Sequence, residues 1–181
     1  MIIIERIVTL GKVRKESALI FNSVFDKLKE NKVEEALLLC EEKSDLISAK
    51  IIKAALINIG KTHQEIQEAL DDAGERELSK LERFLPSLGT IISVSPMLGL
   101  LGTVTGMIKS SNVLAKLGTG DPLKLIGGIS EALITTAFGL IVAIPALVAY
   151  NFLIQRSRNA ISGISKKSAE LVQMVAKDFK K

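Results

Sequence analysis

One carboxylate stands where a carboxylate is costly. Glu131 is the single charged residue between positions 125 and 155. An ionised acid in hydrocarbon is expensive, so an acid found there is usually functional or paired. Desolvation favours its neutral form, which makes Glu131 a group able to take and give protons. Thr103, Thr105, Thr135 and Thr136 add hydroxyls to the same uncharged stretch or to the other one. Hydroxyls can relay protons, yet in apolar helices they often bond only their own backbone. Thr135 follows Glu131 by one turn and sits beside it, whereas Thr136 lies about 140° further round. Proton movement is the chemistry these residues could do. His63 and Cys40 are solitary, so no metal set is supported and no disulfide can form within the chain. No nucleophile–base pair and no phosphate-cradling glycine loop is visible, so neither an enzyme nor a cofactor is expected.

The elements that must hold these residues are read from charge and periodicity. The chain has 181 residues and mean hydropathy of +0.33, with 48% hydrophobic but only 4% aromatic residues. That average is high for a water-soluble domain, and the apolar residues are unevenly placed. Positions 84–108 carry no charge and 125–155 carry only Glu131. Uncharged stretches beyond about 18 residues read as membrane spans. Two spans are therefore expected, at about 84–108 and 125–153, joined by a loop over 109–122. The division is a charged N-terminal region (1–83), a two-span domain (84–153) and a C-terminal helical tail (154–181).

The charged region reads as helical. Leu19, Ile20, Val24, Phe25 and Leu28 recur at helical steps and form one apolar stripe. "KENK" (29–32) breaks that helix. A second begins at "VEEALLLCEEK", and a third has Ser44 as its expected N-cap and Gly60 as its stop. "THQE" (62–65) is a capping box, opening a helix whose apolar face runs through Ile66, Leu70, Ala73, Leu78, Leu81 and Leu85. Nothing obvious breaks it before the first span. The second span is expected to continue into the tail, where Ile161, Ile164, Leu171, Val172 and Val175 keep an apolar stripe.

The net charge of +4 does not read as a nucleic-acid footprint, because acidic and basic residues alternate and Trp is absent. Basic residues gather instead in the N-terminal region and in the tail, which ends with Lys177, Lys180 and Lys181. The connecting loop has Lys109, Lys116 and Lys124. The larger groups predict a cytoplasmic N-terminal region and tail, with the short loop outside. "MIII" followed by Glu5 is too short for the apolar core of a signal peptide.

The spans are also rich in small residues. Gly99, Gly102 and Gly106 share roughly one helix face, and Gly128, Ala132, Thr135, Gly139, Ala143 and Ala146 make a second stripe. Such faces let backbones approach closely, within a chain or between copies. Pro145 removes one helix hydrogen bond and is a candidate kink, as is Pro96.

"SPMLGLLGTVTGMI" and "GGISEALITTAFGLIVAIPALVAYN" together resemble the MotA/TolQ/ExbB proton-channel family, on its ExbB/TolQ side. "EEALLLCEE", "AKIIKAAL" and "ERELSKLERFLPSLGTI" resemble its cytoplasmic helices more weakly. The resemblance implies an all-α, polytopic inner-membrane protein with long helices extending into a cytoplasmic helical domain. It implies a homopentamer around a single-span ExbD- or TolR-like partner, using the proton motive force to drive a TonB- or TolA-type transducer. The family's glutamate falls on Glu131 and its two functional threonines on Thr103 and Thr136. The resemblance thus favours those two over Thr105 and Thr135. Family members have three spans, and "MIIIERIVTLGKVRK" looks like the last turn of the first and its basic exit. Either a start lies upstream or this form lacks that span. A MotA-like motor stator and a non-conducting membrane scaffold are the alternative readings.

Overall fold

The computed structural model describes residues 2–117 and 122–178, and every element among them is an α-helix. In order these are α1 (Ile2–Lys29), α2 (Val33–Glu42), α3 (Ile47–Ile57), α4 (His63–Glu82), α5 (Leu85–Leu117) and α6 (Pro122–Asp178). They form two compact units. One comprises residues 1–83 with 153–181, the other residues 84–152.

The first unit packs like a water-soluble protein. Val24, Ile51, Ile52, Leu70, Leu153 and Val172 are fully buried, and Cys40 is 1% exposed among them. The expected tail stripe is buried at all five positions, from Ile161 to Val175. α1 ends at Lys29, the first residue of the "KENK" segment, in which Asn31 takes φ 58°, a left-handed conformation that asparagine tolerates. At the start of α4 the Thr62 hydroxyl accepts from the Glu65 amide, and the Thr62 amide donates to Glu65 Oε2 at 2.9 Å. Gly60, at φ +87°, turns the chain after α3.

Two buried charged residues of this unit, Glu77 and Arg6, are paired. Glu77 meets Lys80 and Lys50, and Arg6 Nη1 donates to the Leu81 carbonyl at 3.0 Å. Arg6 thus serves a carbonyl in the last turn of α4, where a cation also suits the helix dipole.

Four local expectations fail. Leu19 is 64% exposed, so the α1 stripe is carried by Ile20, Phe21, Val24 and Leu28. Leu19 precedes Ile20 by one residue, about 100° round the helix, and falls outside the arc that faces α2 and α3. Ser44 does not cap α3. Its amide bonds Glu41 O and the Leu46 amide bonds Lys43 O, so residues 43–46 are a turn and the helix starts at Ile47. α4 does not run unbroken toward the first span, because residues 83–84 form a turn before α5. The loop predicted from residue 109 is also wrong. α5 continues to Leu117, because "KSSNVLAKL" contains no proline or glycine to stop it. Of the rest of that loop, 118–121 lie outside the described residues and Pro122 opens α6.

In the second unit, α5 and the N-terminal part of α6 are long and apolar enough to cross a membrane. Thirty-three residues make α5 about 50 Å long, well beyond a hydrocarbon core of about 30 Å. α6 is one helix of 57 residues, passing through Pro145 and into the tail as expected.

Candidate functional site

The two long helices meet along their small residues, in antiparallel order. Gly99 faces Thr135 and Thr136, Gly102 faces Thr135, Gly106 faces Ala132, and Gly128 faces Ser110. A Cβ on Gly139 would lie 2.6 Å from the Ser95 carbonyl oxygen, and one on Gly99 would lie 3.0 Å from Thr136 Cα. Those obstacles are backbone, which cannot rotate away. The expected packing faces are therefore in contact here, and Ala132, Ala143 and Ala146 are buried with them.

Hydroxyls bind the seam as well as line it. Thr136 Oγ1 donates to the Gly99 carbonyl across the helix pair at 3.2 Å. Thr135 Oγ1 contacts the same carbonyl at 3.3 Å and its own Ala132 carbonyl at 2.7 Å. Thr103 and Thr105 bond only their own helix: Thr103 donates to Leu100 O at 2.6 Å, and Thr105 to Leu101 O at 2.9 Å and Gly102 O at 3.1 Å. An intrahelical bond leaves a hydroxyl oxygen with acceptor capacity toward whatever stands beside the helix.

Glu131 is exposed at one edge of this seam. It lines a groove of about 520 Å³ with Thr105, Lys109, Ser110, Gly128 and Thr135. Thr103 and Thr136 are not in that groove. Helical geometry explains the separation. Glu131 and Thr136 stand about 140° apart on α6, and Thr103 and Thr105 about 160° apart on α5. One hairpin therefore carries Glu131 with Thr105, Thr135 and Lys109 on one edge, and Thr103 and Thr136 away from it. The sequence alone places Thr135 beside Glu131 but misses Lys109, which reads there as a loop charge. The available signal is its spacing, seven residues after Gly102 and three after Gly106, on the face the glycines mark. No cluster of metal-ligating side chains occurs among the described residues.

Residues 41–166 match the model of the MotA/TolQ/ExbB proton channel family. The biopolymer transport protein ExbB-like 3 of Synechocystis sp. is 38% identical over 152 residues, covering 83% of this chain and 72% of that protein. TolQ of the Tol-Pal system in Pseudomonas aeruginosa is 45% identical over 96 residues, 53% of this chain and 42% of the relative. The biopolymer transport protein ExbB of Salmonella typhimurium is 32% identical over 146 residues, 73% and 60% respectively. The chain thus spans less than two thirds of the length of the last two.

Proposed function

The chain belongs to the MotA/TolQ/ExbB proton channel family, and from that premise we propose that it is the proton-channel subunit of an inner-membrane energy-transducing complex of the ExbB/TolQ type. It is a conduit and not an enzyme. Its two spans cross the membrane with the first unit and the tail in the cytoplasm, as the distribution of basic residues favours. The working form is a homopentamer around a single-span ExbD- or TolR-like subunit, passing the work of the proton motive force to a TonB- or TolA-like transducer.

The observation that carries this reading is the hairpin itself. Its seam is closed with glycine and alanine, which leaves an acid and hydroxyls on its edges. Glu131, Thr103 and Thr136 are the proposed proton-handling groups. They lie apart on a single hairpin, so a path using all three needs several copies around one axis. A ring supplies that arrangement. The potential drives the step with about 2.3 kcal/mol per charge for each 100 mV, which suits a path of weak polar sites.

The test is native mass and proton flux of this chain co-expressed with a neighbouring single-span subunit. A pentamer carrying the partner, conducting protons and silenced by Glu131→Ala, Thr103→Val or Thr136→Val with assembly intact, is the expected result. A pentamer that conducts no protons would identify a scaffold, and one whose conduction survives all three changes would show that these residues are not the proton path.

A further inference from the structure

We propose that the groove between α1 and the tail of α6 is the seat for α2 of a second copy of this chain. This rests on the homopentamer of the channel reading and names the surface by which neighbouring first units meet. The groove holds about 530 Å³ and lies within the first unit. Leu10 and Phe21 of α1 and Ile164 of α6 make its buried floor. Ala18, Ala160 and Gly163 keep it open, and a Cβ on Gly163 would meet nothing within 4 Å. Along α6 it runs from Arg156 to Lys167, about 16 Å. At its far end the Lys167 ammonium lies 5.8 Å from the centre of the Phe21 ring. No acid lines it among the described residues. The pattern is a cation, a run of small residues and a second cation, above an apolar floor.

α2 carries the converse pattern on its outer face. Ala36 and Cys40 turn into the core. On the far side Glu34, Leu38, Glu41 and Glu42 are exposed within an arc of about 100°. Leu38 is 58% exposed, a large apolar residue set among acids. Lys53 pairs with Glu41, and Lys27 and Lys32 pair with Glu35 at the edge of the arc. Glu34 and Glu42 are left with no ion pair among the described residues, one toward each end of the helix.

Ridge and groove match in length and in sign. α2 has ten residues and is about 15 Å long. A leucine between acids meets small residues between cations. An apolar anchor laid into a groove is a general mode of helix recognition, and complementary charge at its ends fixes the register. The two surfaces are different parts of one chain, so the contact is heterologous. Repeated by rotation, such a contact closes a ring.

The experiment uses the full chain, co-expressed with its single-span neighbour and carrying Leu38→Cys with Gly163→Cys. Both positions are exposed, and the native Cys40 is buried. Oxidation should give disulfide-linked multimers on a denaturing gel, whereas either single variant should run as a monomer. Lys167→Glu, or Glu34→Lys with Glu42→Lys, should lower the cross-linked yield about tenfold by placing like charges together. Combining the two sets should restore most of it, which a general loss of stability would not do. A native pentamer in which the cysteine pair fails to cross-link would overturn the proposal. So would charge variants without effect, or without rescue in combination. Labelling of Gly163→Cys with a water-soluble maleimide separates the other occupants. Free labelling within the pentamer shows an open groove, and protection that requires the single-span subunit makes the groove that subunit's seat; either overturns the proposal. Cross-linking in an assembly other than a pentamer would fail the pentamer reading and leave the contact standing.

Discussion

The two units of this chain are built with their apolar residues turned in opposite senses. In the first, large side chains such as Ile51, Ile52 and Leu70 are shielded and most charges face outward. In the second, Leu98, Leu100, Leu133, Ile141 and Val148 are each more than half exposed, while glycine and alanine occupy the contact. Water drives the first arrangement, because burying apolar area removes it from solvent. Lipid supplies no such drive between helices, so close backbone approach and cross-helix hydrogen bonds take its place. Identical residue types therefore carry different stabilising roles in the two units.

That contrast can be broken most severely at Leu70. Its truncation to alanine removes a fully buried side chain and should cost about 2–5 kcal/mol, read as a fall in the thermal midpoint of the first unit. Leu133→Ala, in a residue 64% exposed, should change the second unit far less in the same assay. The converse substitution acts on the seam. Gly139→Ala drives a methyl group against the Ser95 carbonyl and should cost about 1–3 kcal/mol. Gly127→Ala is its control, because a Cβ there meets nothing within 4 Å. Thermal unfolding in detergent should separate the two, and equal effects would mean that the glycine seam is not a close contact.

A smaller effect is expected at the α4 cap. Thr62→Ala should cost about 1 kcal/mol, measured by thermal unfolding at neutral pH. The Thr62 hydroxyl, and next its amide, hold the Glu65 carboxyl below the ordinary carboxylate range. A depressed acid stabilises the fold above its unfolded-state value, and that contribution disappears as pH falls through the folded-state value. The gap between native and Thr62→Ala midpoints should therefore narrow in acid. The smallest change has the opposite sign. Gly163→Ala lies within α6 with open space around its Cβ, and should raise stability by about 0.5–1 kcal/mol.

Much of this contrast is legible in the linear sequence, for identifiable reasons. Absence of charge marks the spans, the Thr62–Glu65 spacing marks a helix start, and three- and four-residue glycine spacing marks the seam. These signals are local. The failures concern properties that depend on more than local pattern. Leu19 has the right residue type for a core but the wrong angle. Polarity at 109–117 suggests a loop, although polar residues sustain a helix once one is under way. Lys109 illustrates the limit at the site: it shares a groove with Glu131, which is twenty-two positions further along the chain.

Cys40 has a practical consequence. Its thiol is buried, and desolvation pushes it up to about 11. Thiol reagents attack the thiolate, so at neutral pH the native chain should be almost silent toward them. Cysteines introduced along α5 or α6 can then be labelled in the natural background, without first removing the native one. Slow modification of Cys40 itself becomes a built-in clock, timing how often the first unit opens.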